Sequence, residues 1–256
     1  MKADKIAIVT RSRFYAPDLD PSCAETILSA DESHHLARVM RLVNGDELVV
    51  FDGKGHEYEA RVLRADRRAA AIALGAEVKS VAAPRIPTVL VQAVLKGDKM
   101  DGVVRDATMA GAEVIAPVVT ERSLVGLAAL GRAHSLERWQ RVAISSAKQC
   151  GRARLPDIQA PRLFTDWLDA AFDGLRVLLA EPSAGGERIT SLRAVLAEAA
   201  PPAVACIVGP EGGWSAGERQ LAASTGCVPA SLGRMTFRAD AVGLVAVSLV
   251  NFTFDE

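Results

Sequence analysis

Three short stretches of this chain gather residue types that hold small ligands: Leu179-Ala180-Glu181-Pro182, Val208-Gly209-Pro210-Glu211-Gly212-Gly213-Trp214, and Leu232-Gly233-Arg234-Met235-Thr236-Phe237-Arg238. Glycine lets a backbone approach a ligand closely and leaves its N–H free to donate. For any one of these loops, turning alone accounts for the glycines. None has the spacing of a triphosphate loop, and none follows a strand with the GxGxxG dinucleotide pattern, so the spacing does not name the ligand. The third stretch runs into Arg238-Ala239-Asp240, a guanidinium and a carboxylate two positions apart. Such a pair can hold developing negative charge and accept a proton. A carboxylate in the first turn of a helix can equally do no more than complement the helix dipole.

Charge adds a second clue. The chain of 256 residues has a net charge of −1, which excludes a generally basic nucleic-acid binder. Between Thr120 and Arg154, however, seven basic residues (Arg122, Arg132, Arg138, Arg141, Lys148, Arg152, Arg154) face only Glu121 and Glu137. Part of that excess is a solvated helix face; it is also the best footprint for phosphate in the chain. Cys23, Cys150, Cys206 and Cys227 form no CxxC pair and no zinc-ligand spacing, so reduced thiols and no metal are expected. Met1–Thr10 lacks the basic-then-apolar order of a secretory signal. The longest apolar run, Ala241–Val250, is about half the length of a membrane span. A cytoplasmic location is expected.

The elements that must position these residues fall into two parts. Up to Pro84 the pattern is β-rich: Glu47–Phe51 reads as a strand, Asp52-Gly53-Lys54-Gly55 as a turn, and His56–Leu63 and Ala69–Leu74 as returning strands. A short helix over Glu32–Arg41, with Asp31 as N-cap and Asn44-Gly45 beyond its end, precedes them. Strands with one helix predict a small barrel over residues 1–84. The proline-flanked segment Val81–Pro87 is the expected linker. From residue 85 to 256, strands alternate with helices: Thr88–Leu95, Lys99–Ala110 capped by Gly111, Val114–Val119, Ser135–Cys150, Arg176–Ala180, Ser191–Ala199 and Ala203–Val208. Next come a helix opened by the Ser215/Glu218 capping box, a strand over Cys227–Leu232 and an apolar helix over Arg238–Asn251. This alternation predicts an α/β domain with a parallel sheet covered on both faces. The three ligand-type stretches then lie at strand C-terminal ends, where such sheets bind ligands.

Taken together, the Gly209–Ser215 loop, Glu218, Leu232-Gly233 and Arg238-Ala239-Asp240 resemble the SPOUT methyltransferase superfamily, and more narrowly the RsmE family. The resemblance spans the chain through Arg13-Phe14, His34-His35-Leu36, Arg38-Val39-Met40-Arg41, Phe51-Asp52-Gly53, Lys96, Lys99, Asp101, Thr120–Ser123, Arg138-Trp139 and Gln149–Arg152. Two positions depart from the pattern. Asp240 stands where a glutamate is usual, with a carboxylate one methylene shorter, and Met235 stands where an arginine is frequent.

The resemblance implies a PUA-like β-barrel followed by a SPOUT-type trefoil-knotted parallel-sheet domain, acting as a homodimer. It implies methylation of N3 of a uridine in 16S ribosomal RNA, in the decoding region of the small ribosomal subunit, with S-adenosyl-L-methionine as methyl donor. The cofactor is expected at Leu179, Ala180, Glu181, Val208, Gly209, Pro210, Gly212, Leu232, Gly233, Met235 and Phe237. RNA contacts are expected from Arg13, His34, His35, Arg38, Arg41, Arg122, Arg138 and Arg152. Arg238 is expected to hold the uracil oxygens or a neighbouring phosphate, and Asp240 to act as base or orienter. His34 and His35 also fit a core histidine beside an exposed one, and Trp139 fits helix packing. Two rivals stand beside this reading: a SPOUT enzyme methylating ribose 2′-oxygen, against which the last helix lacks a Ser-Leu-Asn run, and an RNA-binding assembly factor without activity.

Overall fold

A computed structural model describes residues 11–182 and 189–255; the reading of Met1–Thr10 lies outside them. The chain divides into two units. One contains the described residues through Ala82 together with Ala147–Leu155, and the other contains Ala83–Ser146 and the residues from Pro156 onward. A single division at residue 84 does not anticipate the return of Ala147–Leu155 to the first unit.

In the first unit, β1 (Arg13–Tyr15) and β2 (Glu25–Ile27) precede a short helix, α1 (Ala30–His34), and a π-helical turn over His35–Val39. Then come β3 (Glu47–Phe51), β4 (Glu57–Arg64) and β5 (Ala71–Glu77). They form one sheet in the order β1-β3-β4-β5-β2, antiparallel except for the β1–β3 pair. Along β4, Tyr58, Ala60 and Val62 are buried and Glu59, Arg61 and Leu63 exposed, the alternation of a strand with one face on a core. Phe14, Leu36, Leu48, Val50 and Ile72 fill that core. The Asp52 carboxylate accepts the backbone N–H groups of Lys54, Gly55 and His56, which fixes the predicted turn.

The helix here starts earlier than its sequence suggests. Ser29, not Asp31, is the N-cap, its hydroxyl accepting from the N–H of Glu32 at 3.3 Å. Asp31 is left in solvent. The helix then widens, with Met40 N–H donating to the His35 carbonyl at 2.9 Å, and Arg41 takes a positive φ of 55°. The predicted single helix to Arg41 is therefore two shorter turns. Widened turns of this kind depend on tertiary packing, not on periodicity.

The second unit alternates β6 (Thr88–Ala93), α2 (Lys99–Met109), β7 (Val114–Val119), α3 (Leu127–Arg132) and α4 (Ser135–Cys150), whose last turn belongs to the first unit. It continues with β8 (Asp157–Ile158), β9 (Arg162–Leu163), α5 (Phe164–Asp169), β10 (Leu175–Leu179) and α6 (Leu192–Ala197). It closes with β11 (Val204–Val208), α7 (Ala216–Ser224), β12 (Val228–Ala230) and α8 (Ala239–Asp255). The strands form one all-parallel sheet in the order β12-β10-β11-β6-β7-β8, with β9 also pairing β7.

Successive side chains leave a strand on opposite faces, so every central strand feeds two cores. Leu90, Val177, Leu179, Cys206 and Val208 pack on one face with α2, α6 and α8. Val91, Ala93, Leu178, Ala205 and Ile207 pack on the other with Phe164, Trp167, Trp214 and Ala222. Gly111 caps α2 at φ 94°, and a Cβ there would stand 2.8 Å from the Asn251 amide. That amide donates to the Ala110 carbonyl at 2.6 Å and its oxygen accepts from Thr88, anchoring α8 to α2 and β6. No helix among the described residues is long and apolar enough to cross a membrane.

Candidate active site

The C-terminal ends of β10, β11 and β12 open onto one cleft of about 590 Å³, well within the range of small-molecule sites. The loops that follow the three strands all line it.

The loop after β11 forms the floor. Its turn is closed by Gly213 N–H donating to the Pro210 carbonyl at 2.9 Å, with Gly213 at φ 66°, where other residues are strained. Gly209 lies under Trp214: a Cβ at that position would stand 3.0 Å from the indole. The Trp214 ring is buried against Phe164, with centroids 4.8 Å apart, and its Nε1–H donates to the Leu179 carbonyl at 2.9 Å. One indole thereby ties the β11 loop to the end of β10.

A buried carboxylate makes a second tie. The Ser215 hydroxyl accepts from Glu218 N–H at 3.1 Å, while one Glu218 oxygen accepts from Ser215 N–H and the other from Glu121 N–H, each at 2.9 Å. The predicted capping box is present, and its glutamate also holds the loop after β7. Arg122 in that loop donates to the Gly212 carbonyl at 2.9 Å. At the mouth, Lys99 pairs with Glu211 at 2.7 Å. Burial alone would raise the Glu211 carboxyl, but the Lys99 hydrogen bond and charge, with backbone N–H groups, hold it below its usual value.

The third wall comes from the loop after β12. Ser231 N–H donates to the Thr190 carbonyl and Leu192 N–H to the Ser231 carbonyl, joining this loop to the start of α6. The loop ends in Arg238, whose Nε and Nη2 donate to the two Asp240 oxygens at 3.1 and 2.8 Å. Arg238 is exposed, and Asp240 lies in the first turn of α8. Both expectations for this carboxylate meet in one place: it sits at a helix N-terminus and it faces the cleft with a guanidinium beside it.

Of the residues expected at the cofactor, Leu179, Ala180, Glu181, Val208, Gly209, Pro210, Gly212, Leu232, Met235 and Phe237 line the cleft, and so do Arg238 and Asp240. Gly233 does not appear in its lining. Arg122, expected at RNA, lines the cleft too. Lys99, Glu211, Trp214 and Arg219 also line it, though none of the four is among the residues expected to hold the cofactor. Glu211 and Trp214 could have been found from their place inside the glycine loop. Lys99 could not, because its partner is 112 positions away.

The other expected RNA residues divide by environment. His34, Arg38 and Arg41 are exposed on the first unit. His35 is half-buried, edge-on to Phe14 at 5.8 Å, and burial, with nearby Lys148, lowers its pKa below the usual histidine value. Lys148 pairs with Glu32. In the second unit Arg138 pairs with Asp101, and Trp139 is buried in the core as expected of a packing residue.

Arg13 is engaged inside the first unit. It pairs with Glu57 at 3.0 Å, donates to the carbonyls of Ala147 and Arg152 at 3.3 Å, and lies over the Phe51 ring. Burial pushes the Arg13 pKa down and the Glu57 pKa up despite the pairing. Breaking such a pair strands one charge, so Arg13→Ala is expected to cost about 3 kcal/mol in urea unfolding. Unchanged stability with weakened RNA binding would return Arg13 to the RNA surface.

Among the described residues no group of three or more His, Cys, Asp or Glu is placed to hold a metal. A parallel α/β unit with three strand-end loops around one cleft, in a chain that also carries a small sheet-and-helix unit, is the architecture matched here by RNA methyltransferases with a PUA domain. Profiles of an RNA methyltransferase domain and of an RNA methyltransferase PUA domain match residues 82–251 and 28–74. The chain belongs to the family of ribosomal RNA small subunit methyltransferase E. It is 32% identical over 233 residues to that protein of Synechocystis, covering 89% of this chain and 73% of the relative. It is 30% identical over 244 residues to that of Mycobacterium bovis, covering 93% and 90%. The crystal structure of the Neisseria gonorrhoeae protein bound to S-adenosyl methionine is similar with a TM-score of 0.84 at 26% identity, over 95% of this chain and 98% of the other. A putative methyltransferase from Legionella pneumophila in complex with the same cofactor is similar at 0.86 and 26%, with the same coverage.

Proposed function

We propose that this protein transfers a methyl group from S-adenosyl-L-methionine to N3 of a uridine in 16S ribosomal RNA of the small ribosomal subunit, in the cytoplasm. The observation that carries this reading is the convergence of three strand-end loops on one cleft, with Arg238 and Asp240 at its edge. The residues fit the cofactor: Gly213 has no atom within 4 Å of where a Cβ would stand, so the floor is bare beside the strand-end backbone of Leu179, Val208 and Leu232. Ala180, Glu181, Gly209, Pro210, Gly212 and the Met235 backbone complete the set that would hold it. Gly233, outside the lining, serves by letting its loop turn at φ 116°. Bound there, the cofactor supplies an electrophilic methyl group on a sulfonium.

The chain's own residues manage the acceptor. N3 of uracil attacks only after losing its proton, and the charge then spreads onto the flanking carbonyl oxygens. Asp240 accepts that proton through lone pairs that Arg238 leaves open, and the exposed Arg238 guanidinium faces the oxygens. Phosphate contacts from Arg38, Arg41, Arg122, Arg138 and Arg152, with His34 and His35, position the RNA.

A trefoil knot is the reading supported by the pairing of Ser231 with Thr190 and Leu192 and by the return of α8 onto α2, β6 and β11. A homodimer is supported by Leu244 and Phe252, exposed on the apolar α8; light scattering at twice the chain mass of 27.1 kDa checks it.

The test is methyl transfer from labelled S-adenosylmethionine to small subunits from cells lacking this protein, with the product nucleoside identified by mass spectrometry. N3-methyluridine is the expected product. A ribose-methylated nucleoside assigns the other SPOUT chemistry, and no product on subunits or naked RNA defeats the enzyme reading.

A further inference from the structure

The cleft has two kinds of wall. Its floor is buried: Leu179, Val208 and Trp214 are each at most 5% exposed. Its lip, Arg234 to Arg238, is exposed at every position, although two of the five residues are large and apolar. Met235 is 76% exposed and Phe237 40%. These two apolar side chains lie in solvent along the cleft, bracketed in sequence by two arginines, and are open to a ligand instead of belonging to the core. Rings flanked by cations are what single-stranded nucleic acid requires, because each base offers a face to stack and each linkage a phosphate to neutralise.

Chain order supplies the second half of the argument. Phe237 directly precedes Arg238, whose guanidinium is bonded to Asp240. Phe237, Arg238 and Asp240 line the same cleft, so a planar ring resting on Phe237 shares it with the pair assigned to the acceptor's proton and oxygens. The floor, by contrast, offers buried strand-end residues to a compact ligand. Two reactants must share this cleft, and its walls are chemically divided between them.

We propose that the side chains of Phe237 and Met235 form the platform on which the acceptor nucleobase stacks, with Arg234 on a flanking phosphate, so that the lip selects an unpaired base turned out of its strand. The proposal rests on the RNA-methylating reading above and moves Phe237 from cofactor wall to acceptor platform. An everted base is the form in which enzymes modify ring atoms that pairing hides.

The test uses the full chain and its Phe237→Ala, Met235→Ala and Phe237→Tyr variants, with three readouts. Cofactor Kd by calorimetry is expected to stay within about twofold in all three, since stacking serves the other reactant. The kcat/KM for small subunits is expected to fall about tenfold in Phe237→Ala, less in Met235→Ala, and to hold in Phe237→Tyr. A uridine oligonucleotide carrying one 4-thiouridine should photo-crosslink to the tryptic peptide Met235–Arg238. A cofactor Kd that rises as far as kcat/KM falls returns Phe237 to the cofactor wall and overturns the proposal, as does an unchanged kcat/KM in Phe237→Ala. Should the wild-type protein methylate no RNA, the functional reading fails by itself. The crosslink then decides the lip, and attachment elsewhere in the chain overturns it.

Discussion

Arg238→Ala is expected to lower kcat for methyl transfer by about 10²–10³-fold while the cofactor Kd moves by less than about twofold. The size follows from what a positioned donor contributes where negative charge develops in a site shielded from water. The geometry explains why binding survives: Arg238 is exposed at the end of the lip and its donors go to Asp240, not to the floor. Arg238→Lys separates charge from shape. Lysine keeps the charge but cannot bridge both Asp240 oxygens, so it recovers only part of the rate. Asp240→Asn keeps the size and one acceptor but cannot take the proton, and it is expected to lose about 10²–10⁴-fold. If Asp240→Ala keeps nearly full turnover, the carboxylate is no base and its place in the first turn of α8 is a matter of the helix dipole. The shorter aspartate is not a defect in this arrangement, because it reaches a bidentate contact with an arginine two positions earlier.

Elements with a strong period were legible in the sequence. β7 and α4 fall where the pattern puts them, residue for residue, because a short β-branched apolar run reads as a buried strand by its length and a two-faced helix of 16 residues carries a clear repeat. The capping box at Ser215 and the cap at Gly111 are local chemistry and were equally plain. Six short elements were not. β1, β2, β8, β9, α3 and α5 are too short to display a period, and they exist because neighbours supply their partners. The return of Ala147–Leu155 to the first unit was illegible for the same reason. It rests on Ala147 and Ala153 packing with Phe51, a contact among residues far apart in sequence. The site followed the same rule. The three loops could be located from strand ends, but the links between them (Trp214 to Leu179, Glu218 to Glu121, Lys99 to Glu211) are long-range and left no trace in spacing.

Those links carry the other large effect. Trp214→Ala is expected to cost about 3–5 kcal/mol in chemical unfolding, the usual penalty for emptying a buried aromatic site. It should also abolish measurable cofactor binding. The stability loss follows from a ring that is 5% exposed and stacked on Phe164. The binding loss has a different origin: the indole N–H is the direct tie between the β10 and β11 loops, and Gly209 is shaped to lie under its ring. Trp214→Phe divides the two. It keeps a ring against Phe164 and Gly209 but leaves the Leu179 carbonyl without its donor, which costs about 1–3 kcal/mol when the group is buried. With the fold still largely intact, the β10 loop is free to drift from the floor, so the cofactor Kd is expected to rise about tenfold. Gly209→Ala approaches the same contact from below, because its methyl group would press on the indole and must displace it. If Trp214→Phe loses stability yet binds cofactor with wild-type affinity, the hydrogen bond serves the core alone. The two loops must then owe their spacing to the strand pairing of β10 with β11, which no side-chain substitution in the cleft would disturb.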